Sequence, residues 1–250
     1  MPAATQARDR RWIARDVSLL ALTWTAGYVD ALSFLGLGHV FTAMMTGNTV
    51  LFGISLGQGD GPGALRSFIA LVGFAIGAVV GAAIVDSDRS TAGWPAAVTH
   101  ALVLEALVFV VFIAIWHASE PLRNAAVVAL LIATLSLAMG IQSAAALRLG
   151  VPGIATTYIT GTLTTMMITL TSSLRALSRR SRARADEPAA STWEHRVGLL
   201  SLVVVVYAFG ALVGGLLESR KSPLLTLIPL AVVVLVAGHA FLRGHQPSSA

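Results

Sequence analysis

Long apolar runs, broken by short polar connections, fill almost the whole chain. Crossing a bilayer takes roughly 20 apolar residues at 1.5 Å of rise each. On that ruler the pattern predicts an all-α, polytopic transmembrane bundle of about eight spans, at 17–37, 40–57, 65–85, 96–116, 124–147, 153–174, 197–218 and 223–242. The second and eighth are the weakest, being short, polar or proline-containing (Pro229). Six or seven full spans with a re-entrant hairpin is the alternative.

The pattern also repeats. Residues 27–56 read GYVDALSFLGLGHVFTAMMTGNTVLFGISL and residues 140–170 read GIQSAAALRLGVPGIATTYITGTLTTMMITL. Gly27, Ala31, Thr42, Thr46 and Gly47 match Gly140, Ala144, Thr156, Thr160 and Gly161. Further on, FAIGAVVGA (74–82) aligns with YAFGALVGG (207–215). The offset is about 113 residues at the first helix of each unit and 133 at the third, the difference being a polar insert at 175–196. The predicted organisation is an N-terminal tail (1–16), a first repeat (17–120) and a second repeat (121–250) carrying the basic linker 175–196. With four spans per unit, the repeats are expected to run parallel, related by an axis along the membrane normal.

Composition agrees with a membrane protein. The chain is 56% hydrophobic and 12% charged, with a mean hydropathy of +0.79, against roughly 25% charged in soluble domains. A net charge of +5 does not point to nucleic acid, because the basic residues sit between apolar runs. On the eight-span layout, thirteen Lys and Arg fall on one side (Arg8, Arg10, Arg11, Arg15, Arg66, Arg123, Arg175, Arg179, Arg180, Arg182, Arg184, Arg196, Arg243). Four fall on the other (Arg89, Arg148, Arg220, Lys221). Cytoplasmic loops are enriched in Lys and Arg, so both termini are expected in the cytoplasm. The first apolar run is too long for a signal peptide and carries Asp30, so it reads as a retained helix. The linker reads as a solvated connection, with anionic lipid headgroups as the sharper alternative.

Polar residues inside apolar spans are costly and face protein or water. Asp30, beside Tyr28 on the first span, and Glu105, central in the fourth, are candidate proton-coupling groups. For each, the bland alternative is a structural hydrogen bond. His100, five residues before Glu105, is out of register for a pair on one helix face. Thr42, Thr46 and Asn48 on span two, Gln142 on span five, and Thr156, Tyr158 and Thr160 on span six are candidate substrate-binding residues. Thr42 and Thr46, four apart, would share a helix face, as would Thr156 and Thr160. Gly47 and Gly161 would allow close approach or a local break. Asp30 has Ser143 as its counterpart, so a carboxylate at that level belongs to the first half alone. Gly73, Gly77 and Gly81, and Gly210 with Gly214, form small-residue stripes that read as packing surfaces or as faces for a homo-oligomer.

The motifs AGYVDA (26–31), MTGNTV (45–50), MGIQSA (139–144), RLGVPG (148–153) and ATTYITGTLT (155–164) resemble the YoaK family of bacterial integral membrane proteins, a domain of unknown function. The family pattern often carries Asn where Ser143 stands here. The resemblance implies a multi-pass inner-membrane protein and brings no biochemical activity with it. There is no cysteine and no HExxH, and the one GxSxG string, GISLG at 53–57, lies inside an apolar span and not at the strand-to-helix turn of a nucleophile elbow, so neither an enzyme nor a metal or other cofactor is expected. The leading expectation is a small-solute transporter or permease embedded in the lipid bilayer, with Asp30 or Glu105 coupling to protons. The alternative is a membrane scaffold or accessory subunit without transport activity.

Overall fold

The computed structural model describes residues 2–88, 94–119, 124–149, 159–180 and 190–244. Helices account for nearly all of them, and no strand occurs among the described residues: α1 (Pro2–Gly36), α2 (Met45–Gln58), α3 (Gly61–Val85), α4 (Ala96–Ala118), α5 (Ala125–Arg148), α6 (Ile159–Arg180), α7 (Ala190–Ser219) and α8 (Leu227–Gly244). Local chemistry explains several ends. Asp60 caps α3 by accepting from Gly63 N at 3.0 Å, and Asn124 caps α5 by accepting from Val127 N at 3.0 Å, each satisfying a free first-turn donor. Gly59, at φ 70°, ends α2 in the left-handed conformation.

Five apolar stretches are long enough to cross a membrane: Arg15–Gly36, Gly61–Val85, Ala96–Ala118, Ala125–Arg148 and Gly198–Ser219. A shorter one, Leu227–Leu242, lies in α8. The second predicted span is different. Helix α2 has 14 residues, about 21 Å of rise, which is short of a bilayer. The segment before it is not helical. The chain leaves α1, turns through positive φ at Gly38 (88°) and His39 (62°), and folds back so that Thr42, Ala43 and Met44 donate to Asp30 Oδ1. Asp30 lies six residues, about 9 Å, below the end of α1. Helix α2 therefore starts at that depth. Its exit lies on the side it came from, because Arg66, five residues into α3, reaches Gly38 O at 3.1 Å. The segment from 37 to 58 is a re-entrant hairpin, a stretch of backbone going in and a helix coming out.

Glycines set the two closest helix pairs. In α3, a methyl on Gly77 would collide with the Leu137 carbonyl of α5, and one on Gly81 would meet Ala144 Cβ at 2.8 Å. In α7, a methyl on Gly210 would collide with the Trp24 carbonyl of α1, and one on Gly214 would meet Tyr28 O at 2.6 Å and Ala31 Cβ at 3.3 Å. Leu137 and Ala144 each lie 113 positions beyond Trp24 and Ala31, and Gly210 and Gly214 lie 133 beyond Gly77 and Gly81. The same pairing of positions thus occurs twice, with the first helix of each half packed on the third helix of the other. Other pairs follow the exchange: α2 packs on α3 as α6 does on α7, and α4 on α5 as α8 does on α1. The contact of α3 with α4 has no counterpart between α7 and α8 among the described residues.

The directions overturn the parallel arrangement. Along α1 and α7 the partners climb together, from Trp24 with Gly210 to Leu35 with Gly215, so these helices run the same way. Along α3 and α5 they also climb together, from Gly73 with Ala133 to Gly81 with Ile141. Between α4 and α8 the end of one meets the start of the other, His117 Nε2 lying 3.2 Å from Thr226 Oγ1. Gln142, near the end of α5, donates to Leu22 O, near the start of the apolar part of α1, at 3.1 Å. Corresponding helices of the two halves therefore oppose each other, related by a two-fold axis in the membrane plane. The physical reason is the re-entrant α2: it removes one crossing from the first half, so the second half enters from the opposite side.

Candidate functional site

Around the inner tip of the re-entrant hairpin, the polar residues of α1 and α2 meet α7. Asp30 is 3% exposed. Its Oδ1 accepts from the main-chain N of Thr42 (2.9 Å), Ala43 (2.7 Å) and Met44 (3.3 Å), and its Oδ2 accepts from Tyr207 Oη at 2.5 Å. Four donors and no acceptor is the surrounding an ionised carboxylate requires. Those amides precede the first turn of α2, so the carboxylate also sits at the positive end of a helix dipole.

Asn48 closes the hairpin from within. Its Nδ2 donates to Phe41 O at 2.6 Å and its Oδ1 accepts from Phe41 N at 3.0 Å, as a strand partner would. Phe41 stacks on Phe34 with ring centroids 4.9 Å apart, holding the returning segment against α1. Thr42 is buried, and its Oγ1 lies 3.3 Å from Ser33 Oγ. Thr42 precedes α2 while Thr46 lies inside it and is exposed. The shared helix face expected for those two threonines is absent, because the backbone between them is not helical.

Other candidates are placed apart. Thr160 begins α6 and is exposed, while Thr162, aligned with Asn48, is buried. Thr156 and Tyr158 lie outside the described residues. Gln142 is buried against α1, its Nε2 spent on Leu22 O and its Oε1 without a partner among the described residues. Tyr28 does not approach Asp30 through its hydroxyl, which donates to Leu225 O at 2.7 Å and pins the start of α8. Glu105 is fully buried on α4, and neither carboxyl oxygen has a partner among the described residues; His100 lies on the exposed face of the same helix. The glycine stripes are occupied by α5 and α1 within the chain, so they offer no free face to a second copy. The described residues contain no group of three or more His, Cys, Asp or Glu able to hold a metal ion.

Two participants were missed from sequence, Tyr207 and Arg66. Tyr207 had a signal. It opens YAFGALVGG where the first copy has Phe74, just as Asp30 stands where the second has Ser143. The two polar members, one from each half, meet at one of the two matched helix interfaces, and both are replaced at the other.

The family described as "Protein of unknown function (DUF1275)" matches residues 18–239. This chain belongs to the DUF1275 family. Within it, the chain is 34% identical over 221 residues to the UPF0700 transmembrane protein YoaK of Bacillus subtilis (strain 168), covering 88% of this chain and 91% of that protein. The DUF1275 match takes in every element of the hairpin, Asp30, Tyr207 and Glu105 alike. No solved structure matches the chain.

Proposed function

We propose that this DUF1275 protein is a small-solute transporter of the bacterial cytoplasmic membrane. One observation carries the proposal: a broken, re-entrant helix whose non-helical start lies at membrane depth, inside a frame that two oppositely directed halves build by exchanging helices. Non-helical backbone is tolerated at that depth only where protein or a water-filled cavity surrounds it. Discontinuous helices between inverted repeats are where transporters bind substrate. The solute sits beside the hairpin tip in this reading, with Thr42, Thr46 and Asn48 as the nearest polar groups.

The six-crossing layout keeps both ends of the described chain on one side. It moves Arg89 and Arg148 to that side and Arg66 and Arg123 to the other, so the balance of Lys and Arg stays thirteen to four. This supports cytoplasmic termini. Proton coupling falls to Glu105 rather than Asp30, whose acceptor sites are taken by the hairpin. The scaffold alternative loses ground because the glycine faces it relied on are buried inside the chain.

Proteoliposome uptake screened over many small solutes tests the proposal, with Glu105→Gln and Asp30→Asn beside wild type. Uptake above empty liposomes that falls with Glu105→Gln and changes in rate with Asp30→Asn supports it. Folded protein that moves no solute in a broad screen removes it.

A further inference from the structure

One buried ionisable group serves neither the fold nor the hairpin. Glu105 is fully buried on α4, and neither of its carboxyl oxygens has a hydrogen-bond partner among the described residues. On α5, which packs against α4, Ser136 Oγ and Gln142 Oε1 are also buried without a partner. These positions fall at neighbouring depths. Taking the facing ends of α4 and α5 as one level, Glu105 lies about 20 Å back along α4, and Ser136 and Gln142 about 17 and 26 Å along α5. In depth, Glu105 falls between the levels of Ser136 and Gln142.

Among the described residues no cation neutralises it. On the helices packed against α4, Arg66 of α3 is spent on Gly38 O and Arg148, ending α5, on Asp88 O. His239 of α8 is level with Glu105 but faces outward. On α4 itself His100 is exposed and His117 pairs with Thr226. A bare carboxylate with no partner is among the costliest groups to bury. One negative charge among neutral oxygens calls for one positive charge, and no second carboxylate is grouped there to hold a divalent ion.

We infer that Glu105 is a monovalent-cation site, loaded by a proton or by sodium, with Ser136 Oγ and Gln142 Oε1 as its neutral ligands. It rests on the transport proposal in naming the ion that drives the cycle, but binding is measurable with no solute present. The site takes up the ion at mid-depth between α4 and α5, in a part of the bundle distinct from the Asp30 hairpin.

The test uses the full chain in lipid nanodiscs. Thermal unfolding is followed in sodium chloride and in choline chloride of equal ionic strength, at an acidic and an alkaline pH, and the carboxyl carbonyl band is recorded by infrared difference spectroscopy. In the sodium case, wild type gains about 3 °C or more in Tm from sodium at alkaline pH, Glu105→Gln gains nothing, and Ser136→Ala needs several-fold more sodium. In the proton case, wild type shows a protonated-carboxyl band that disappears on alkalinisation and is missing in Glu105→Gln, with no sodium effect. Should Glu105→Gln fail to fold, Glu105→Asp and Ser136→Ala carry the test by a several-fold shift in the sodium or pH midpoint. A wild type indifferent to both ions overturns the inference, as do variants that respond as wild type does. Ion binding that depends on Glu105 without any solute uptake removes the transport proposal and keeps the site. Uptake indifferent to Glu105→Gln does the reverse.

Discussion

Replacing Asp30 should release the hairpin while leaving the helical frame standing, and the size of the effect follows from its four hydrogen bonds. Three are main-chain amides of Thr42, Ala43 and Met44 converging on Oδ1. Hydrogen bonds to a charged group contribute about 1.5–3 kcal/mol each, and neutral ones about 0.5–1.5. Asp30→Asn keeps an oxygen for the amides but loses the charge, about 1 kcal/mol per bond and about 3 kcal/mol in all. Asp30→Ala strands all three donors, so its cost starts at about 3 kcal/mol and rises with every amide that stays dry. The cheapest escape is local opening of 37–44, which lets water reach those amides. Hydrogen exchange in nanodiscs reads that directly. Exchange at 42–44 should quicken by about 100-fold in either variant, at 1.4 kcal/mol per factor of ten, while core amides of α5 such as Leu135 and Met139 keep their protection. Unchanged exchange at 42–44 would refute the capping role, and a loss of protection spread evenly over α5 would refute its local character.

Other outcomes follow from the same geometry. Tyr207→Phe removes one charge-assisted bond to Asp30, so exchange at 42–44 should rise by about 10-fold; no change would mean the hydroxyl is idle. Gly77→Ala and Gly210→Ala each drive a methyl into a carbonyl of the partner helix. Both should lower stability by about 1–3 kcal/mol and by similar amounts, measured as thermal unfolding of the purified protein; a large inequality would break the equivalence of the two interfaces. Because the chain has no cysteine, single cysteines report topology cleanly. Those placed at Asp60 and Lys221 should label from one side of sealed vesicles and those at Asp88 and Leu149 from the other; with parallel four-span repeats, Asp60 would label from the side opposite Lys221. Asn48→Leu removes both bonds to Phe41 and should expose the hairpin to protease, with intact protection counting against its closing role.

Much of this was legible in the sequence, because hydropathy and small-residue spacing report burial and close approach. The apolar spans, the glycine faces and the matched positions of α1 with α5 and α3 with α7 all follow from composition along the chain. The path of the chain between 37 and 44 did not, and that one segment decides the direction of the second half. Leu37, Val40 and Ala43 are buried there in backbone that is not helical, and an apolar residue scores alike in either. The cue was conformational: Gly36, Gly38 and His39 cluster before a helix that starts late. Burial of Asp30 was foreseeable, but its partner was not, since Tyr207 lies 177 positions away and only the comparison with Phe74 and Ser143 connects the two.

That comparison bears on how a transporter of this shape would cycle. Two halves exchanging helices supply two matched interfaces, α1 with α7 and α3 with α5, and alternation between them is simplest when both are equally easy to move. Here they are not equivalent. The interface beside the first hairpin is tied by Asp30 and Tyr207, and the matched positions at the other interface are Ser143 and Phe74. With about 3 kcal/mol held in the three amide bonds alone, moving the first hairpin is disfavoured by about 100-fold relative to an untied one. Any solute or ion that moves it must bind the released form more tightly by at least that factor. A fixed first hairpin and a working second half is therefore the cheaper cycle, and Asp30→Asn should speed any step that requires the first hairpin to move while leaving the affinity of the Glu105 site unchanged.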